Sequence, residues 1–374
     1  MKRIWLVILT MAAVCLQASA SALASEAHLR QIEQQADQGD AESQYQLGLR
    51  YANGDGVPQD LARARQWWLK AAGQGHPQAQ YGMGFIYEKG AGVTRDLGEA
   101  RQWWQRAADQ GHVQSQMFLA SIYATGYGVE KNPAEAAKWA KMAADQDFAP
   151  AQYNLGVMYA TGSGVVKDLK EAARWYQRAA EQGDSNAQFN LGGMYASGEG
   201  VSLDPALAYV WMNMAAHKGH KGARQRMKEL IARVEPKKVL EAQREVAQRG
   251  DSDAQFLLGA MYADGEGFST DYAEAFSWWH QAAVQGHIAA QFNLGVMFAN
   301  GEGVKKDFSE AIKWYRLAAE QGDANAQFNL GGMYLNGEGV ENNELQASIW
   351  FKLAASQGHE KAREMLSKIN TSQK

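Results

Sequence analysis

Between Phe148 and Gly183 the apolar and polar positions fall into two short helical patterns separated by a glycine-rich turn. The stretch Ala151-Gln152-Tyr153-Asn154-Leu155-Gly156-Val157-Met158-Tyr159-Ala160 contains no breaker and carries apolar residues at Leu155, Met158 and Tyr159. That is the i, i+3, i+4 spacing of one packed helix face, and it predicts a first helix, A. Gly162 ends it, because a residue free to take positive φ suits the position after a helix, and Val165 is placed to plug the turn against the core. A second helix, B, is predicted from Asp168, whose position holds Asp60, Asp96, Asn132, Asp204, Asp271, Asp307 or Asn343 elsewhere. A short side-chain oxygen there accepts hydrogen bonds from the unpaired amides of the first turn. A Glu three residues on, as in Asp96/Glu99, Asp168/Glu171, Asp271/Glu274 and Asp307/Glu310, completes a capping box. Pro133 and Pro205 stand at the first helical position, where a missing amide hydrogen costs nothing.

The pattern repeats. Gly-x-Gly pairs recur at Gly54/Gly56, Gly90/Gly92, Gly126/Gly128, Gly162/Gly164 and Gly198/Gly200, then at Gly265/Gly267, Gly301/Gly303 and Gly337/Gly339. A fixed period of this length means stacked supersecondary units, a solenoid whose function is sought on a long surface. In helix B a tryptophan column runs through Trp67, Trp103, Trp139, Trp175, Trp211, Trp278, Trp314 and Trp350, with alanine pairs such as Ala71-Ala72 and Ala179-Ala180 a turn later. Large rings beside small residues let helices approach to about 8–10 Å and fill the gap between repeats. Gly48, Gly84, Gly156, Gly192, Gly259, Gly295 and Gly331, with Ala120 in the third unit, trim helix A in the same way.

The ordered set Ala-Gln-x-x-Leu-Gly, Tyr, Gly-x-Gly-Val, Asp, Glu-Ala, Trp and Ala-Ala-x-x-Gly, clearest in Ala151–Gly183 and Ala290–Gly322, resembles the Sel-one-like repeat family, relatives of tetratricopeptide repeats. The resemblance covers residues 40–219 and 251–358. It implies an all-α, right-handed α/α superhelical solenoid of eight helix-turn-helix repeats in two arrays, with helix A lining a concave groove and a role in assembling or regulating protein complexes.

Around the repeats the expected organisation is a signal peptide at 1–24, a capping helix at 25–39, five repeats at 40–219, a capping or linker helix pair at 220–250, three repeats at 251–358, and a final helix to Ile369 with a tail within 359–374. Residues 220–250 lack the Gly-x-Gly turn and any tryptophan, while Met227, Leu230, Ile231 and Val234 keep helical spacing and Pro236 restarts the helix. Residues 112–219 and 251–358 correspond at a constant offset, as Asn154 does with Asn293, which points to internal duplication.

Lys2 and Arg3, the apolar run Ile4–Leu16 and the Ala22-Leu23-Ala24 site read as a bacterial-type export signal, with Ala18-Ser19-Ala20 as a second possible cut. The run is too short to span a membrane, which takes about 20 residues, so a periplasmic or secreted protein without an integral membrane segment is expected after cleavage. Cys15, the one cysteine, follows Val14 where a lipobox wants a small residue, which argues against a lipoprotein. Cleavage removes two basic and no acidic residues, leaving 35 basic against 41 acidic residues and a net charge of −6. Such a balance does not suggest nucleic acid as partner.

Candidate chemistry is sparse. His76, His112, His220, His287 and His359 share one repeat position, but metal ligands must converge within about 2 Å of one ion, so they read as solvated residues at helix starts, and His280 likewise. The glycine pairs follow a helix instead of a strand and lack both the third glycine of a dinucleotide fingerprint and the Lys-Ser/Thr of a P-loop. No metal, cofactor or catalytic residue is expected. One candidate binding element remains: Asn154, Asn190, Asn293 and Asn329, each after an aromatic (Tyr153, Phe189, Phe292, Phe328), occupy one position of helix A. Amides along a groove can pair with the backbone of an extended peptide whatever its sequence, and some tetratricopeptide repeats, by the resemblance, bind peptides this way. The opposing reading is that duplication copied a neutral polar residue. Tyr153, Val157 and Ala160 share a helix face that either lines the groove or packs against neighbours.

The expected function is therefore an exported scaffold or adaptor, not an enzyme, that binds a protein or peptide and regulates an envelope process. Two alternatives stand beside it. One is a β-lactamase-like or penicillin-binding enzyme, against which the absence of Ser-x-x-Lys and of cysteine after cleavage both count. The other is a secreted host-interaction factor.

Overall fold

The computed structural model describes residues 27–232, 234–265 and 269–372, and all regular structure among them is helical. The expected signal peptide lies outside the described residues. Among the described residues, no helix is long and apolar enough to cross a membrane. The chain forms an α-solenoid of helix pairs that divides into two compact units, residues 1–168 and 169–374.

In the first unit, helix α1 (27–37) buries Leu29, Ile32 and Ala36 against Leu47 of α2 (Ala41–Asn53). There follow α3 (Leu61–Gly73), α4 (Pro77–Lys89), α5 (Leu97–Asp109), α6 (Val113–Thr125), α7 (Pro133–Asp145) and α8 (Ala149–Thr161). The caps are those the sequence announces: one Asp60 oxygen accepts from the amides of Ala62 and Arg63 at 3.0 Å, and Asn132 accepts from Glu135 at 3.1 Å. Gly162, at φ 75°, closes α8 in the left-handed region and donates its amide to the Met158 carbonyl. The second glycine of the pair serves a different purpose. A Cβ on Gly164 would overlap the Pro133 carbonyl at the start of the preceding helix B, so the turn lies directly on that backbone.

The tryptophan column packs between adjoining pairs, as expected. Trp103 joins Ala71 and Ala72 of the preceding helix B to Ala79, Met83 and Ile86 of its own helix A, and Trp139 sits likewise among Ala108, Leu119 and Ile122. A second column, one residue later, was not anticipated. Trp104 is fully buried on Gly84 and donates its indole N–H to the Tyr81 carbonyl at 3.1 Å; the half-buried Trp68 lies on Gly48 and donates to the Tyr45 carbonyl at 3.2 Å. The trimmed helix A thus receives a ring from its own repeat's helix B. In the third repeat both sides change together, Ala120 facing a pair that has Ala140 in place of the ring.

The Ala-Gln motif also finds its cause. Gln44, Gln80 and Gln116 are buried and donate to the carbonyls of Ala36, Ala72 and Ala108 at 3.0–3.1 Å, while accepting from Gln74, Gln110 and Gln146 at 2.8 Å. Each buried amide is thereby satisfied by one bond to the preceding helix and one to the helix B of its own pair, as a low-dielectric core requires.

The second unit runs α9 (Leu169–Glu181), α10 (Ser185–Ser197), α11 (Pro205–His217), α12 (Lys221–Ile231), α13 (Pro236–Gln248), α14 (Ser252–Asp264), α15 (Tyr272–Val284), α16 (Ile288–Asn300), α17 (Phe308–Glu320), α18 (Ala324–Asn336), α19 (Glu344–Ser356) and α20 (Glu360–Ser372). The last helix reaches three residues beyond Ile369. The glutamine bonds recur: Gln255, Gln291 and Gln327 donate to Ala247, Ala283 and Ala319 and accept from Gln285, Gln321 and Gln357. The α12–α13 pair continues this stack, for α13 packs on both α11 and α14 and supplies the Ala247 carbonyl as a helix B would. Lys218 stands where other repeats have the donors Gln74 or Gln110, and its ammonium turns to Asp253 of α14 at 2.6 Å. The Gln188 oxygen is consequently buried without a partner among the described residues.

Candidate functional site

The asparagine positions lie on the accessible side of helix A. Asn154 of the first unit is exposed; Asn190, Asn293 and Asn329 of the second are half-buried, and so are Tyr153, Val157 and Ala160. Two of the four line depressions. That at Asn329, about 390 Å³, is walled by Phe308, Tyr315, Phe328, Gly332, Met333 and Glu338 among others. That at Asn293, about 210 Å³, is walled by Tyr272, Trp279, Val296, Met297 and Glu302 together with Asp264.

These are the same site in successive repeats. Tyr272 and Phe308, Trp279 and Tyr315, Val296 and Gly332, and Glu302 and Glu338 are equivalent residues, contributed by the preceding helix B, by helix A and by the glycine turn. The second ring column supplies one wall, so the packing that joins a repeat internally also shapes the surface of the next. Tyr315 is bonded by the Asn329 amide, and burial, which outweighs that bond, pushes its hydroxyl up to about 12. The phenol is neutral at any physiological pH and offers the depression a hydrogen-bonding group without charge.

Val296 against Gly332 separates the two depressions in size. Gly332 and its counterpart Gly193 lie inside helices, and a Cβ on either would meet nothing within 4 Å. Repeat five carries the same set, Tyr176, Asn190, Gly193 and Glu199, whereas Asn154 is accompanied by Ala140 and Ser163, with neither ring nor carboxylate. The sequence therefore held a further signal beside the asparagines: the glutamate within Gly198-Glu199-Gly200, Gly301-Glu302-Gly303 and Gly337-Glu338-Gly339.

Two of the aromatics that precede an asparagine are also packed against the histidine that closes the repeat. Phe328 stacks on His359 at 4.6 Å and Phe189 on His220 at 4.3 Å. This corrects the expectation for the repeated histidines, which are half-buried rather than solvated: His76, His112, His287 and His359 cap the next helix through Nδ1, and His220 holds the same position without a side-chain cap bond. His76 is 9% exposed in its side chain, accepts from the Ala79 amide at Nδ1, stacks on Tyr45 at 4.7 Å and meets Glu42 through Nε2 at 2.9 Å. Burial, with a smaller contribution from His76, pulls the His112 imidazole down. His280 is exposed, as expected, with its ring beside Phe276 and Trp314. No group of three or more potential ligands among the described residues is placed to hold a metal. The glycine turns are helix ends laid on backbone, a geometry unlike that of a phosphate loop.

Comparison with known proteins matches the Sel1 repeat family at residues 41–76, 77–112, 113–148, 149–184, 185–220, 252–287, 288–323 and 324–359. A protective antigen present in uropathogenic Escherichia coli strains, displaying an SLR fold, is 33% identical over 91% of this chain and 82% of its own, with a TM-score of 0.52. A Sel1 repeat protein from Oxalobacter formigenes is 30% identical over 91% of this chain and 89% of its own, with a TM-score of 0.46. No curated protein matches the chain.

Proposed function

The chain belongs to the Sel1 repeat family, whose members are generally protein-interaction scaffolds and typically not enzymes, and from that premise we propose an exported adaptor that binds an extended polypeptide along helix A. The single observation that supports this reading is the recurrence of one depression, with asparagine in its wall, in consecutive repeats. A peptide backbone offers a donor and an acceptor at every residue, and a repeated amide side chain answers that repetition. The partner acts in the bacterial envelope, where the export signal of residues 1–24 delivers the mature chain. Crosslinking pull-down from the envelope fraction, comparing wild type with Asn154, Asn190, Asn293 and Asn329 all changed to Ala, tests the surface. Loss of the captured partner is expected, and an unchanged partner set would remove the asparagine assignment. Amino-terminal sequencing of exported protein should read from Ser25.

The likeness to a protective antigen supports a second reading, in which the chain is released or displayed and meets host proteins. Protease treatment of intact cells separates the two: degradation points to display, protection to residence in the periplasm.

A further inference from the structure

The depressions at Asn293 and Asn329 differ from a plain amide ladder in what surrounds the amide. The charged residues that line them are acidic, Glu338 in the one and Asp264 with Glu302 in the other. Each also has two rings from the preceding helix B, Tyr272 with Trp279 and Phe308 with Tyr315. A carboxylate beside aromatic walls and an amide oxygen is the set of groups that receives a cation on an aliphatic stem: the stem covers the rings while the head group reaches the carboxylate. The Phe308 ring already takes part in such an interaction, because the Lys306 ammonium lies over it at 4.5 Å.

We propose that these two depressions are subsites for basic side chains, one arginine or lysine in each, carried by an extended segment of the protein partner. The proposal rests on the peptide-binding reading above and names the chemistry of that ligand. Three features support it together. The carboxylates recur at one repeat position, so a chain passing over α16 and α18 meets them in turn. The mature protein is acidic, which draws a basic segment to it at long range. Gly332 leaves open the floor of the larger depression although no packing contact requires glycine there, and room for a ligand side chain accounts for the open floor. The larger site suits arginine, whose planar head can meet Glu338 with two parallel bonds.

The probe is a set of fluorescein-labelled Ser/Gly peptides of equal length, bearing two arginines, two glutamates or neither. The charged residues are set about three positions apart, the span an extended strand needs to pass between neighbouring helices. Fluorescence anisotropy with the purified protein at low and moderate salt reads the affinity. The arginine peptide is expected to bind and the glutamate peptide not to bind. Glu302→Gln and Glu338→Gln should each weaken the arginine peptide by roughly tenfold or more, whereas Glu320→Gln, an equal change of net charge on exposed surface of α17, should leave it unchanged. Gly332→Val should also weaken it, with the thermal midpoint retained.

Equal binding of the arginine and glutamate peptides, or equal losses in Glu320→Gln and Glu338→Gln, would overturn the proposal. If the uncharged peptide binds and loses affinity in Asn329→Ala while arginine adds nothing, the basic subsites fall and the peptide surface stands. If no peptide binds, the two fall together.

Discussion

A Cβ placed on Gly331 stands 2.8 Å from the Phe351 ring, while one placed on Gly332, the next residue of α18, meets nothing within 4 Å. Replacing each by alanine is therefore expected to act in opposite directions. Gly332→Ala relieves the backbone entropy that glycine loses inside a helix and should stabilise the protein by up to about 1 kcal/mol. Gly331→Ala forces Phe351 away from its seat and should cost about 1–3 kcal/mol. Urea unfolding of the two single variants checks both signs. This pair shows the limit of the sequence at the scale of one residue. Glycine at 331 follows a period and announces packing, but glycine at 332 carries the same letter for a different reason, and only the position of the neighbouring ring separates them. The asparagines were legible because they recur beside an aromatic. The ring columns one residue apart, Trp103 and Trp104, were not separable, since both are large, apolar and helical, and which of them reaches the preceding repeat and which sits on the trimmed glycine of its own helix A depends on the angle between helices.

At the scale of the element, the buried glutamines make a testable distinction between repeats. Gln327 donates to Ala319 and accepts from Gln357, whereas Gln188 donates to Ala180 and its oxygen has no partner among the described residues. Gln327→Met should consequently cost about 1 kcal/mol more than Gln188→Met, the net worth of one ordinary hydrogen bond, as read from urea midpoints. The defect at Gln188 follows from Lys218, which bonds to Asp253 across the inserted helices. The Asp253 carboxyl is held down at about 2, first by its hydrogen bond with His287 and then by Lys218, against the opposing effect of burial. A depressed carboxylate contributes stability above its unfolded value near 3.8, and that contribution is lost as the pH falls towards 2. Asp251, pushed up by burial, works in the opposite sense, so the comparison must be between wild type and a single variant. Asp253→Asn should be less stable than wild type at pH 6, with the gap closing between pH 4 and pH 2 in guanidinium titrations. A constant gap would place the role of Asp253 in packing and not in charge.

Across the whole molecule, the period alone made the eight helix pairs readable, because each pair must bury one face on the next and the burial rule recurs with the register. The irregular elements were readable only as helices, and their packing is what the structure adds. Helix α13 and helix α1 occupy equivalent places before a repeat: Ala247 and Ala36 offer the carbonyl to Gln255 and Gln44, and Asp251 and Asp40 cap the helix that follows. Yet α13 packs on two sides and α1 exposes the matching face. Val239, Ala242 and Val246 are buried, where α1 has His28, Gln31 and Gln35 exposed. A polar face at this place keeps a repeat stack from accepting another helix, and an apolar one invites it. Giving α1 the pattern of α13, through His28→Val, Gln31→Ala and Gln35→Val together, should leave helix content intact but make the sedimentation coefficient rise with concentration more steeply than in wild type. The reverse exchange, Ala242→Gln with Val246→Gln, should lower the unfolding midpoint without promoting association, because it buries two amides in the contact between α13 and α11. If both variants behave alike, position before a repeat, and not the polarity of the face, decides where stacking ends.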